Sequence, residues 1–137
     1  MAANKPYGEP FTVLVVDDDP AMRALLRDWL ERDGFRVIDE PSADRLLLTG
    51  GATSLDVVVL DKEMPGRGGF DVLPTFRRQC PEVPVILITA FGGGAVAQEA
   101  MRLGARTYLE KPFQLRALLE AVREATRDDS RRDTQCG

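Results

Sequence analysis

The chain contains no histidine. That absence excludes a histidine-based triad, any imidazole metal ligand and a phosphorylated histidine of its own, so chemistry must come from other side chains. Cysteine is nearly as scarce. Cys80 and Cys136 stand far apart, without the CxxC spacing of a zinc site or the density of a disulfide framework. A reducing compartment fits that usage. No apolar run approaches the ~18 residues of a membrane span, and residues 1–10 lack the hydrophobic centre of a signal peptide, so the chain reads as cytoplasmic and free of membrane. Eighteen basic residues against twenty-two acidic ones give a formal net charge of -4. That is the wrong sign for a surface that neutralises phosphate backbones, and direct nucleic-acid binding by this chain is not expected.

What is present is one domain's worth of alternating elements. The 137 residues are 44% hydrophobic and 29% charged, a globular balance. Residues 1–10 read as a flexible lead-in, 11–127 as the folded domain and 128–137 as a solvated tail or the start of a linker. Within the domain, Thr12 to Val16 is a short run of β-branched and apolar residues, as expected of a strand buried on both faces. From Pro20 to Asp33 the residues Met22, Leu25, Leu26, Trp29 and Leu30 recur at helical spacing, with Asp19 placed to cap and Gly34 to stop. Four more strand–helix pairs follow: Arg36 to Asp39 with Ser42 to Leu48, and Val57 to Leu60 with Gly69 to Arg78. Val85 to Thr89 precedes a helix over Ala95 to Leu103, and Thr107 to Leu109 precedes Leu115 to Arg127. Short loops between five such pairs predict a doubly wound α/β fold, a parallel sheet covered on both faces.

Polar residues gather where those strands end. Asp17 and Asp18 follow the first strand, Asp61 the third, Thr89 closes the fourth, and Lys111 lies just past the fifth. The crevice beyond the carboxyl ends of a parallel sheet is where such folds bind ligands. Three carboxylates crowded there repel one another unless a cation enters, and hard oxygen donors suit Mg²⁺.

Four separated segments carry a family resemblance: Val13-Leu14-Val15-Val16-Asp17-Asp18-Asp19, Leu60-Asp61-Lys62-Glu63-Met64-Pro65-Gly66, Ile88-Thr89-Ala90 and Lys111-Pro112-Phe113. In order and interval they resemble the motifs of receiver domains of two-component response regulators. The resemblance implies a flavodoxin-like five-stranded sheet of order 2-1-3-4-5 with five helices, a strand order that alternation alone does not fix. It implies that Asp61 takes a phosphoryl group from a histidine kinase or a histidine phosphotransfer domain, in a Mg²⁺-dependent reaction that the domain itself catalyses. Asp18 would bind the ion directly, Asp17 mainly through water, with Asp61 and the Glu63 backbone carbonyl as further ligands. Lys111 and Thr89 would contact the phosphoryl oxygens. Thr89 and Tyr108 would relay the change to the face of the fourth helix, fifth strand and fifth helix, through which the resemblance also implies a homodimer. Glu63 and Phe91 would tune hydrolysis, Phe91 by folding over the site and crowding out water. The Lys111-Pro112 bond is expected to be cis.

Departures from the motif matter too. Arg67-Gly68-Gly69 stands where many such domains carry Met-Asp-Gly, Pro74 is expected to bend the third helix, and Gly92-Gly93-Gly94 should leave the fourth helix costly to start. Arg106-Thr107 replaces the Asp pair of the winged-helix class, and residues 95–113 look more like receivers of the nitrogen-regulator type. Two other functions compete. A haloacid-dehalogenase-type phosphohydrolase also uses a strand-end Asp with Mg²⁺, but its Asp-x-Asp-x-Thr/Val pattern fails at Asp17 to Ala21. A receiver-like interaction module that is never phosphorylated would be expected to lose acidic or Lys positions that are all present here.

Overall fold

The computed structural model of the protein describes residues 4–127; the expected tail at 128–137 lies outside them. Five strands alternate with five helices: β1 (Thr12–Val16), α1 (Pro20–Arg32), β2 (Arg36–Glu40), α2 (Ala43–Ala52), β3 (Val57–Asp61), α3 (Gly69–Gln79), β4 (Val85–Thr89), α4 (Gly94–Arg102), β5 (Thr107–Glu110) and α5 (Leu115–Arg127). All strand pairs are parallel, in the order β2-β1-β3-β4-β5. Every residue of β1, β3 and β4 is buried, as their continuous apolar runs require once helices cover both faces.

Alternate side chains of these strands feed two cores. One face contributes Leu14, Val58, Leu60 and Leu87 to a cluster with Leu46 of α2, Leu73 and Phe76 of α3 and Ala100 of α4. The other contributes Val13, Val15, Val57, Ile86 and Ile88, packed against Leu26 and Leu30 of α1 and Leu118 and Val122 of α5. Each fully buried aliphatic side chain contributes roughly 1.5–3 kcal/mol of transfer free energy. The helical stripes are narrower than expected: Leu25 is 41% exposed and Leu115 37%. Leu115 opens α5, and Leu25 borders a surface groove described below.

Local chemistry sets the boundaries. Asp19 Oδ1 accepts the Ala21 amide at 3.0 Å and caps α1, and Gly34 adopts the positive φ of 100° that ends it. Ser42 caps α2 through the Arg45 amide. That helix runs four residues past its expected end at Leu48, through Gly50 and Gly51. Glycine there permits close packing rather than a stop: a Cβ on Gly50 would lie 3.0 Å from the Phe76 ring of α3. α3 continues without interruption through Pro74. Residues 4–10 carry a turn closed by Gly8 N–H to the Lys5 carbonyl, and Lys5 Nζ lies 3.2 Å from Asp56 Oδ2 beneath the sheet. Cys80 is buried in the core between α2 and α3, and Cys136 lies outside the described residues. Among the described residues, no helix is long and apolar enough to cross a membrane.

Candidate functional site

Register builds the site. Val16 pairs with Leu60, so the next residues, Asp17 and Asp61, leave β1 and β3 side by side at the carboxyl edge. Asp61 pairs with Ile88 and Thr89 with Glu110, which sets Thr89 one step beyond Asp61 and Lys111 one step beyond Thr89. Backbone bonds extend the ladder into the loops: Lys62 N–H donates to the Ile88 carbonyl and Lys111 N–H to the Thr89 carbonyl, both at 2.7 Å. The Lys111-Pro112 peptide is cis, as expected.

One carboxylate oxygen from each of Asp17, Asp18 and Asp61 lies within 4.8 Å of the other two. Asp17 and Asp61 are buried and Asp18 is exposed. Asp17 Oδ1 accepts the Asp19 amide at 2.9 Å, whereas its Oδ2 is buried with no hydrogen-bond partner. Lys111 Nζ approaches from the far side, 3.5 Å from Asp61 Oδ1 and 3.9 Å from Asp17 Oδ2. Burial and then the charge of Asp17 push Asp61 up to about 6, against the opposing pull of Lys111 and of the Glu63 amide that donates to Oδ1. Asp17 is raised too, chiefly by burial. Two desolvated carboxylates, one with an orphaned oxygen facing an exposed third, form a site that a hard divalent cation would stabilise.

Glu63 takes a position that its place in the sequence does not disclose. Its carboxylate folds back and accepts the Thr89 hydroxyl at 2.6 Å, the Ala90 amide at 2.8 Å and Lys62 Nζ at 3.3 Å. Burial acts to raise this carboxyl, but the three donors outweigh it and hold it below the ordinary range. Thr89 is fully buried, and its hydroxyl oxygen also accepts the Phe91 amide at 2.9 Å. Tyr108 is half-buried against the α3-side core. Phe91, expected to fold over the carboxylates, is 67% exposed. Sequence reasoning also missed Arg23, whose guanidinium donates to the Asp17 carbonyl at 2.7 Å. The signal was present in its helical spacing to Arg27, since both arginines reach Asp39 of β2.

The β3–α3 loop is held by close approach rather than by a cap. Gly68 has no side chain to cap α3, and only the reverse contact exists, Asp71 Oδ2 accepting the Gly68 amide at 2.9 Å. A Cβ on Gly69 would stand 2.8 Å from the Asp61 carbonyl oxygen and 2.9 Å from Lys62 Cα. Gly69→Ala is therefore expected to lower stability by about 1–3 kcal/mol and to shift the Asp61 backbone with it. Urea unfolding checks this, and a midpoint equal to wild type would show that the loop yields freely.

The model of the response regulator receiver domain matches residues 13–123. The chain belongs to that family. Among curated relatives, the response regulator protein FleR of Pseudomonas aeruginosa is 42% identical over 110 residues, 80% of this chain and 23% of that protein. The C4-dicarboxylate transport transcriptional regulatory protein DctD of the same species is 40% identical over 125 residues, 91% of this chain and 27% of that protein. This receiver domain thus spans about a quarter of the length of those two relatives. Among solved structures, a response regulator from Burkholderia pseudomallei, described with a phosphorylated aspartic acid, calcium ion and citrate, superposes with a TM-score of 0.77 at 25% identity, covering 85% of this chain and 69% of that one. A receiver identity leaves the phosphohydrolase reading without support.

Proposed function

We propose that this receiver domain accepts a phosphoryl group on Asp61 from a phosphohistidine of a kinase or phosphotransfer protein and changes conformation in response. The observation that carries the reading is the pairing of Asp61 and Asp17 under Lys111, with one buried Asp17 oxygen left without a hydrogen bond. In the transfer, an ionised Asp61 oxygen attacks phosphorus while the bond from phosphorus to the donor imidazole breaks, and the imidazole takes up a proton from water. Hydrolysis later returns the Asp61 carboxylate and inorganic phosphate. Lys111 holds positive charge against the phosphoryl oxygens, and the Thr89 hydroxyl donates to one of them.

The orphaned Asp17 oxygen and the all-oxygen donor set fit Mg²⁺. Asp18, Asp61 and the Glu63 carbonyl would hold it, with Asp17 acting mainly through water. When bound, the ion would neutralise carboxylate and phosphoryl charge together. Beside Lys111 an apolar groove opens between Met22, Leu25, Trp29 and Phe113, and a donor protein reaching Asp61 would lie against it. Phe91 in the loop before α4 and Met101 within it expose apolar surface, which supports Tyr108 and the α4–β5–α5 face as the place where the switch is read, by a target or a second copy. Phosphohistidine is made from ATP, so the reading places the domain in the cytoplasm. Incubation with acetyl phosphate and Mg²⁺ is expected to add one phosphoryl group that peptide mapping locates at Asp61. Labelling that persists at full rate in EDTA, or that maps to Asp18, would overturn the assignment.

A further inference from the structure

The Thr89 hydroxyl has one proton and the Ala90 amide has one, and in the unphosphorylated chain Glu63 holds both. The hydroxyl proton has a second acceptor, the Phe91 carbonyl at 3.2 Å, but the 2.6 Å charge-assisted contact to Glu63 is the stronger. A phosphoryl group on Asp61 needs the Thr89 proton for its own oxygens, so it and the Glu63 carboxylate cannot both be served. Their charges also repel at close range. The geometry points to Glu63 as a positioning residue that competes with the phosphoryl group: its carboxylate occupies the Thr89–Ala90 donors until phosphorylation displaces it. Lys62 supplies the landing place, because it already pairs with Glu63 at 3.3 Å from the outer side and packs over the Phe70 ring. Displacement then releases the Ala90 amide from Glu63 at the start of the loop that leads into α4. This inference rests on the reading of Asp61 as the phosphoryl acceptor and adds an internal opponent to it.

A structural staple and a competitor predict opposite signs. If Glu63 merely braced the β4–α4 loop, its loss would loosen the donors and weaken phosphoryl binding; if it competes, its loss strengthens binding. The probe is beryllofluoride with Mg²⁺, titrated into wild type, Glu63→Gln, Glu63→Ala and Asp61→Asn, and followed by fluorescence of the single tryptophan, Trp29, which lines the groove beside Lys111. Glu63→Ala is expected to bind roughly tenfold more tightly than wild type, the worth of one charge-assisted hydrogen bond. Glu63→Gln, which keeps one acceptor oxygen and no charge, should fall between. Equal or weaker binding by both variants overturns the competition. Should Glu63→Ala fail to fold by circular dichroism, the Gln variant decides alone: tighter binding supports the proposal and unchanged binding overturns it. Without probe, the Ala90 amide should exchange with solvent faster in Glu63→Ala than in wild type, and equal exchange would show that no clasp exists. Binding by Asp61→Asn as tight as wild type would sink the acceptor reading itself, a failure separate from that of the competition.

Discussion

Asp61→Asn is expected to abolish labelling by acetyl phosphate and at the same time to make the metal-free protein more stable at pH 7.5. The amide cannot serve as the nucleophile, which accounts for the first effect. The second follows from linkage. Burial and Asp17 push Asp61 from 3.8 to about 6 in the folded chain, so between those values the folded state binds more protons than the unfolded state. Stability therefore falls as pH rises through that window, and above it the folded protein carries a penalty for an ionised, crowded carboxylate. A rise of this size corresponds to about 3 kcal/mol; solvent at the open mouth and coupling to Asp17 reduce it to about 1–2 kcal/mol. Asp61→Asn removes the penalty, so its advantage should be present at pH 7.5 and gone near pH 4. Mg²⁺ should narrow the gap by stabilising wild type more than the variant. Urea titrations at the two pH values, with and without Mg²⁺, check all of this. A variant less stable than wild type at pH 7.5 would mean that Asp61 ionises at little cost.

Lys111→Met is the converse case. The ammonium group stands 3.5 Å from Asp61 Oδ1 and 3.9 Å from Asp17 Oδ2 and partly offsets both charges. Methionine keeps most of the stem and loses the cation. Labelling by acetyl phosphate should slow by about a hundredfold, the usual cost of one preorganised electrostatic contact to a transferring group. Stability at pH 7.5 should drop by about 1–2 kcal/mol, because two buried carboxylates keep their mutual repulsion and lose their counter-charge. Without Lys111 the Asp61 carboxyl ionises at a higher pH, so the acid limb of the labelling profile should move toward neutral. An unmoved limb together with a slowed rate would place Lys111 on the phosphoryl group alone and not on the resting carboxylate.

Much of this architecture was legible because its signals are local. β1 and β4 have the limits that their apolar runs mark, and Asp19, Ser42 and Gly34 punctuate α1 and α2 by their own hydrogen bonds or dihedral angles. The strand order came instead from the resemblance, since alternation permits several orders and the sheet has one. What escaped depends on tertiary approach. Gly50 and Gly51 look like a helix stop in isolation, yet α2 passes through them because Phe76 needs the room. The Asp17, Asp61 and Lys111 cluster could be placed because strand ends fix it, whereas the fold of Glu63 onto Thr89 depends on a side-chain rotamer that no spacing encodes. The side that Phe91 takes is open for the same reason: it precedes three glycines, and its side chain is largely exposed.

The start of α4 carries a consequence for how strongly a signal must push. Its N-cap is Gly93, at φ 118° with no side chain to satisfy the first amides, and Ala100 is its one fully buried residue. α3 by contrast buries Val72, Leu73 and Phe76. A shift of α4 on phosphorylation would give up little apolar area and no side-chain cap. Turning a two-state population from one part in a hundred to ninety-nine takes about 5.5 kcal/mol of differential affinity. The fewer contacts α4 has to break, the smaller the share of that figure a phosphoryl group on Asp61 would have to supply through new contacts.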